Sequence, residues 1–199
     1  MINIHQSYRQ IWGWFDDNGP AYGADVYRDC IEWLPDNSHI VEVGCWLGRS
    51  TIVMARLIKL SGKKIRFDAV DTWTGSIRDL RQKALVKRNG GSIYPLFLKN
   101  ITKFGLRDYV NPILGDSTAT ATLYHDLSLD FVYIDADHSF EKFMSDITVW
   151  YPKLKAGGLL AGHDFDEKYH PDVVRVVEDF SFQNRMQFEV QNRSWLIRT

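Results

Sequence analysis

Apolar and polar positions along this chain switch between two periods. Strand-length apolar runs recur at residues 40–43 (IVEV), 64–73 (KIRFDAVDTW), 109–117 (YVNPILGDS), 130–137 (DFVYIDAD) and 156–164 (AGGLLAGHD). Between and after them, residues 49–60, 93–104, 119–127, 140–154 and 171–182 carry apolar side chains at helical spacing. The last of these opens on Pro171 and Asp172, and Val173, Val174, Val176 and Val177 form its apolar stripe. The chain closes on FEV, a QNR turn and SWLIRT, which reads as a β-hairpin. Strands alternating with helices predict an α/β fold, a doubly wound and mostly parallel sheet covered on both faces. One segment breaks the rhythm. Residues 75–91 (GSIRDLRQKALVKRNGG) are basic, glycine-bounded and longer than an ordinary connection, which suits a lid or a solvated surface helix equally.

The first strand leads into the most informative turn, HIVEVGCWLGRSTI at residues 39–52. Gly44 ends the apolar run, Gly48 follows, and Arg49-Ser50-Thr51 opens a helix, so backbone N–H groups face whatever lies beyond the strand. The spacing is G-x-x-x-G rather than the G-x-G-x-x-G of pyrophosphate-binding turns, and Glu42 stands two residues before the first glycine. A carboxylate there repels a pyrophosphate and suits an ammonium group. S-adenosylmethionine carries an ammonium, a sulfonium and no phosphate. Taken alone, the segment also fits an ordinary strand–turn–helix with a stray acid. The other strands end in matching chemistry: Asp71, where doubly wound folds place an acid against ribose hydroxyls, then Gly115-Asp116-Ser117, then Asp135 and Asp137, then His163-Asp164. For single positions a helix N-cap is the plainer reading, favoured here for Ser117 and Ser139.

Composition narrows the setting. The 199 residues, 45% of them hydrophobic, suffice for one α/β domain spanning 1–199, with residues 1–36 as a helical, aromatic-rich extension. A formal net charge of −1 supplies no field to draw in nucleic acid or an anionic membrane. Cys30 and Cys45 lie in apolar surroundings and read as core residues rather than a disulfide framework. No basic start followed by an apolar core marks a secretory signal, and no apolar run approaches the roughly 20 residues of a membrane span, so a cytoplasmic location is expected.

The succession VEVGCWLGRST, VDTW, GDS, YIDADHSFEKFMSDI, LKAGGLLAGHDF and HPDVVRVVEDF, over residues 40–180, resembles the class I S-adenosylmethionine-dependent methyltransferases. Within them it is most similar to the macrocin-type and other sugar O-methyltransferases, and more distantly to catechol and caffeoyl-CoA O-methyltransferases. The resemblance implies a seven-stranded sheet with an antiparallel C-terminal hairpin. It also implies that Glu42, Gly44, Gly48 and Ser50 contact the methionine part of the cofactor, Asp71 the ribose, and Asp116 and Ser117 the adenine. Trp73 and Asp135 complete the implied cofactor set.

Methyl transfer to oxygen needs a deprotonated, oriented hydroxyl, which a divalent metal or a nearby base can provide. Metal-dependent relatives hold Mg²⁺ with one acid after strand four and two adjacent residues after strand five. An ungapped count from Gly157-Gly158 places these on Asp135, His163 and Asp164. His163 departs from the acid usual there, and imidazole suits Zn, Mn, Fe or Ni better than Mg²⁺, so the metal stays open. His138, three residues beyond Asp135, is the expected general base, because an imidazole with a pKa near 6.5 is matched to take a proton at pH 7. Asp137 reads as an orienting or capping acid.

The expected acceptor is a small hydroxyl-bearing molecule: a sugar, glycoside or aryl compound. No N-P-P-Y-type or P-C-type motif stands after strand four, so nucleic acid is disfavoured. The aromatic cluster of Tyr8, Trp12, Trp14, Phe15 and Tyr22 suits a substrate cover, or packing on the core or on a second subunit in a homo-oligomer. Two other readings remain open. One is a non-catalytic cofactor- or metal-binding protein on this fold; the other, disfavoured by the glycine spacing, is an NAD-dependent oxidoreductase.

Overall fold

A computed structural model describes residues 24–76 and 79–199. The N-terminal aromatic cluster therefore lies outside the described residues. Seven strands form one sheet: β1 (His39–Val43), β2 (Arg66–Asp71), β3 (Asn111–Leu114), β4 (Leu129–Ile134), β5 (Leu154–Gly162), β6 (Phe188–Gln191) and β7 (Ser194–Arg198). Their order is β3-β2-β1-β4-β5-β7-β6. The first five strands run parallel, and β7 pairs antiparallel with both β5 and β6. The doubly wound sheet with an antiparallel last hairpin is thus present as expected. Asn192 and Arg193, both at positive φ, make the tight turn whose twist suits a two-residue hairpin.

The helices are α1 (Ala24–Trp33), α2 (Arg49–Ser61), α3 (Leu80–Arg88), α4 (Tyr94–Lys103), α5 (Ser117–Ala121), α6 (Phe140–Trp150) and α7 (Pro171–Gln183). One face of the sheet packs against α1, α2 and α4 through Tyr27, Ile31, Ile52, Leu57, Phe97 and Ile101. The other packs against α6 and α7 through Phe143, Ile147, Trp150, Val173, Val176 and Val177. Strand β4, buried at every position, lies between these two cores. Cys30 and Cys45 are free and buried, as read. No helix among the described residues is long and apolar enough to cross a membrane.

Two elements differ from their sequence pattern. The helix read at 119–127 shrinks to α5, one residue past a single turn. Its cap is Asp116, whose carboxylate accepts from the N–H groups of Thr118 and Ala119, and not Ser117. The chain then leaves the helix to bury Tyr124, whose hydroxyl donates to Asp68 at 2.9 Å, while Leu123 and Leu127 stay exposed. The helix read at 140–154 stops at Trp150. Pro152 has no N–H to continue it, and Tyr151–Lys153 form a short 3₁₀ turn into β5. Within 75–91, α3 is capped by Asp79 and inserts Val86 into the core.

Asp68, in the middle of β2, is fully buried and ties three strands together. It accepts from His39 (2.8 Å), Asn111 (2.8 Å) and Tyr124 (2.9 Å), and pairs with Arg66 at 3.1 Å. Burial alone would raise its pKa, but the His39, Asn111 and Arg66 bonds hold it at about 2. The stability this carboxylate contributes is therefore complete above about pH 4 and is lost as pH falls towards 2. Asp68→Ala should cost about 1–3 kcal/mol in denaturant titration at pH 7, because it leaves the Tyr124 hydroxyl, the Asn111 amide and the His39 ring without their acceptor. An Asp68→Ala protein as stable as wild type would show the cluster to be without net effect.

Candidate active site

The cavity opens beyond the carboxyl ends of β1, β2, β3 and β4, where open α/β sheets bind ligands. Gly44 forms its floor. With φ at +89°, a Cβ on Gly44 would lie 2.1 Å from the Asp135 carbonyl oxygen and 2.8 Å from the Ala136 Cα. Only a glycine lets the β1 turn and the β4 end come this close. Asp71 then locks the turn in place. One carboxylate oxygen accepts from the N–H groups of Cys45 and Trp46, both at 2.8 Å, and the other from Trp73 N–H at 2.6 Å. The Trp73 indole returns a bond to the Trp46 carbonyl at 2.9 Å. Trp46 and Trp73 both sit at positive φ, a strained conformation for aromatic residues that these bonds hold.

Of the expected cofactor residues, Gly44, Asp71, Asp116, Ser117 and Asp135 line the cavity. Glu42, Gly48, Ser50 and Trp73 do not. Trp73 is a core residue, fully buried against Tyr94 and Phe97, because Asp71 and the Trp46 carbonyl turn its ring inward. Trp46 takes the place on the wall instead. It stands between the two glycines, a position the sequence reading passed over. Gly48 is the N-cap of α2, and its α-carbon faces the Phe97 ring.

Glu42 is buried beneath the turn, accepting from Tyr27 at 2.9 Å and from Thr51 and Ser50. Burial pushes its pKa up to about 7 against the pull of those three donors. The folded state thus keeps a proton that the unfolded chain releases, and stability should fall as pH rises from about 4.5 to about 7. Glu42→Gln should flatten that slope in melting curves taken across this range. An unchanged slope would place its origin elsewhere.

At the β3 end, Asp116 spends one carboxylate oxygen on Thr118 (N–H at 3.0 Å, hydroxyl at 2.7 Å) and on Ala119 N–H at 3.2 Å, and the Thr118 hydroxyl bond leads in lowering its pKa. Ser117 accepts from the Trp150 indole at 2.9 Å and bonds to Asp146, a buried carboxyl on the cavity wall that burial pushes up to about 6. Asp146 carried no recognisable sequence signal, since one acid in a helix reads as surface.

At the β4 end, Asp137 accepts from the Ser139 N–H (2.8 Å) and hydroxyl (2.6 Å), so it orients the residue that precedes the helix and does not cap the helix itself. Ser139 is the N-cap of α6, but its hydroxyl serves Asp137 rather than the helix. His138 Nε2 lies 3.0 Å from Asp164 and 3.6 Å from Asp135. Burial opposes a charge on this ring, yet the two carboxylates outweigh it and raise the pKa to about 10. In this arrangement the imidazole already holds a proton at pH 7. It can accept another group's proton only when the charge on Asp135 and Asp164 is offset.

At the β5 end, Asp164 sits at φ +62°. It takes His163 Nδ1 at 2.8 Å and Arg193 at 3.4 Å on one oxygen and His138 on the other. His163 is buried and lies off the cavity wall. His170, which the sequence reading gave no role, closes the group. Its ring lies 4.6 Å from that of His138, and its Nε2 is 3.6 Å from Asp164.

Residues 41–165 match the family model for a methyltransferase domain. Among solved structures, the O-methyltransferase NovP is similar with a TM-score of 0.66 and 19% identity, over 88% of this chain and 78% of that one. CalS11, a TDP-rhamnose 3'-O-methyltransferase of calicheamicin biosynthesis, gives a TM-score of 0.56 and 14% identity, over 88% of this chain and 76% of its own. An O-methyltransferase from Bacillus cereus in complex with SAH gives 0.61 and 15%, over 98% and 89%. At these identities the likeness is one of fold.

Proposed function

Because the chain belongs to the methyltransferase-domain family matched over residues 41–165, we propose that it transfers the methyl group of S-adenosylmethionine to a hydroxyl of a small acceptor. The observation that carries the choice of cofactor is the charge of the cavity wall. Asp71, Asp79, Asp116, Asp135, Asp137, Asp146 and Asp172 line it, against Arg81, Lys142 and the protonated His138. Such a wall favours a ligand bearing a sulfonium and an ammonium and opposes the pyrophosphate of a dinucleotide. The SAH complex of the Bacillus cereus relative supports the same choice. The Gly44 turn and Asp71 would hold the methionine and ribose, and Ser117 and Asp146 the adenine end.

In the transfer, the acceptor oxygen forms its bond to the methyl carbon as the carbon–sulfur bond breaks. Sulfur keeps the electron pair, and the acceptor hydroxyl loses its proton. Asp135, His138 and Asp164 stand beyond β4 and β5 where that hydroxyl would arrive, and we assign its activation to them. A divalent metal in such a cluster supplies positive charge that lowers the pKa of a hydroxyl. The residues implied for Mg²⁺ do not fit it well. Asp135, His163 and Asp164 lie within 4.8 Å of one another, but His163 offers nitrogen where Mg²⁺ takes oxygen. The sugar O-methyltransferase CalS11 supports a sugar or glycoside as acceptor, with aryl hydroxyls next to be tried.

Calorimetry with S-adenosylmethionine and with NAD tests the cofactor, and methyl transfer to a panel of sugars, glycosides and catechols tests the acceptor. Binding of NAD without binding of S-adenosylmethionine would overturn the reading.

A further inference from the structure

Donor atoms from the β4 end, the β5 end and the start of α7 converge at one edge of the cavity. One of them belongs to His170, the first residue of the HPDVVRVVEDF segment, to which the sequence alone gave no role. The side-chain donors of His138, Asp164 and His170 lie within 4.8 Å of one another. Neighbouring pairs are tighter: 3.0 Å from His138 Nε2 to Asp164 Oδ2, 3.6 Å from His170 Nε2 to Asp164 Oδ1, and 3.6 Å from His138 Nε2 to Asp135 Oδ1. Ligands held about 2.0–2.2 Å from one ion stand about 3.0–3.5 Å apart along the edges of its coordination polyhedron. The 3.0 Å spacing has that size and the two of 3.6 Å stand just above it before any ion is added, with each oxygen of Asp164 facing one imidazole.

The surroundings hold the donors in place. His170 is the N-cap of α7, followed by Pro171 at the first helical position, and its N–H donates to the Asp166 carbonyl at 2.8 Å. His163 Nδ1 and Arg193 grip Asp164, so its carboxylate is oriented by groups behind it, as metal-binding carboxylates commonly are. His163 also stands within 4.8 Å of Asp135 and Asp164; with its Nδ1 2.8 Å from Asp164 and its ring buried, it is given the positioning role here.

We propose that His138, Asp164 and His170, with Asp135 at the open edge, form a binding site for a divalent transition metal of the Zn²⁺, Co²⁺ or Mn²⁺ class in place of Mg²⁺. Two imidazoles and two carboxylates match the ligand preference of these ions, whereas Mg²⁺ takes oxygen nearly throughout. The proposal deepens the methyl-transfer reading at the same site, but the binding it describes is measured without methyl transfer. It also gives His138 a role consistent with its two carboxylate partners: a ligand nitrogen rather than a free base.

The test uses chelator-stripped protein titrated by calorimetry with Zn²⁺, Co²⁺, Mn²⁺ and Mg²⁺, with the visible spectrum of bound Co²⁺ as the structural readout. Co²⁺ and Zn²⁺ should bind one per chain, at least ~100-fold more tightly than Mg²⁺. His170→Ala should weaken Co²⁺ at least ~10-fold and alter its spectrum, while the melting temperature, read alongside, shows the fold retained. His170→Asp restores a donor as oxygen and should move the preference towards Mn²⁺ and Mg²⁺. Equal affinity for Mg²⁺ and Co²⁺ would overturn the proposal. So would Co²⁺ affinity that survives His170→Ala but is lost in His163→Gln, or an absence of metal binding in protein that binds S-adenosylmethionine. Protein that holds Co²⁺ through His170 but binds no S-adenosylmethionine would uphold this site and overturn the methyl-transfer reading.

Discussion

Gly44→Val is expected to abolish S-adenosylmethionine binding. Two costs add at this position. The backbone stands at φ +89°, where β-branched residues are strained, and the new Cβ would lie 2.1 Å from the Asp135 carbonyl oxygen. No side-chain rotation relieves the second, because both partners are backbone. Either the β1 turn lifts off β4 or the β4 end moves, and each displaces groups that line the cofactor cavity: Gly44 itself, Asp71 through its bonds to Cys45 and Trp46, and Asp135. Gly62→Val separates the two costs. Gly62, at the end of α2, has φ +68° and nothing within 4 Å of its would-be Cβ. It should lose only about 1–2 kcal/mol to backbone strain and keep full cofactor affinity. If the Gly44 variant binds S-adenosylmethionine like wild type in calorimetry, the cavity beyond β1 is not the cofactor site.

His138→Ala should lower kcat by ~10²–10⁴-fold, the usual worth of a group that governs the acceptor's proton. Cofactor affinity should change little, because the groups we propose for S-adenosylmethionine are the Gly44 turn, Asp71 and the Ser117–Asp146 end. The loss should thus appear in single-turnover methyl transfer at saturating cofactor. As a metal ligand, His138 predicts one thing more: Co²⁺ affinity falls in the same variant. As a free base it predicts instead that the acidic limb of the pH–rate profile disappears while Co²⁺ affinity holds. Near-wild-type kcat would remove His138 from the reaction.

Much of this was legible along the chain because it depends on short-range periodicity. Strand-length apolar runs between helical segments dictate a parallel sheet, and FEV and SWLIRT around a QNR turn dictate the closing hairpin. The Gly44 turn was also legible, since a glycine between an apolar strand and a helix start marks a place where backbone must approach backbone. Where spacing misled, a long-range contact had overridden it. Tyr124 leaves α5 to reach Asp68, 56 residues earlier in the chain, and Pro152 ends the run after Trp150.

Local pattern alone was enough for the fold class and for the strand ends where a ligand is expected, because both follow from periodicity and from the rule that ligands bind beyond parallel strands. Which side of each strand end a side chain serves depends on packing in three dimensions. Trp73 and Glu42 turn into the core while Trp46 takes the wall, since Asp71 accepts backbone bonds from the β1 turn and from its own, and Tyr27 closes over Glu42. The tertiary structure also brought His170 to Asp164 and His138. No periodicity links a residue at the start of α7 to one after β4. Their meeting depends on how α7 docks on the sheet, and only there does a pair of carboxylates hold an imidazole's proton and a second imidazole complete a ring of donors.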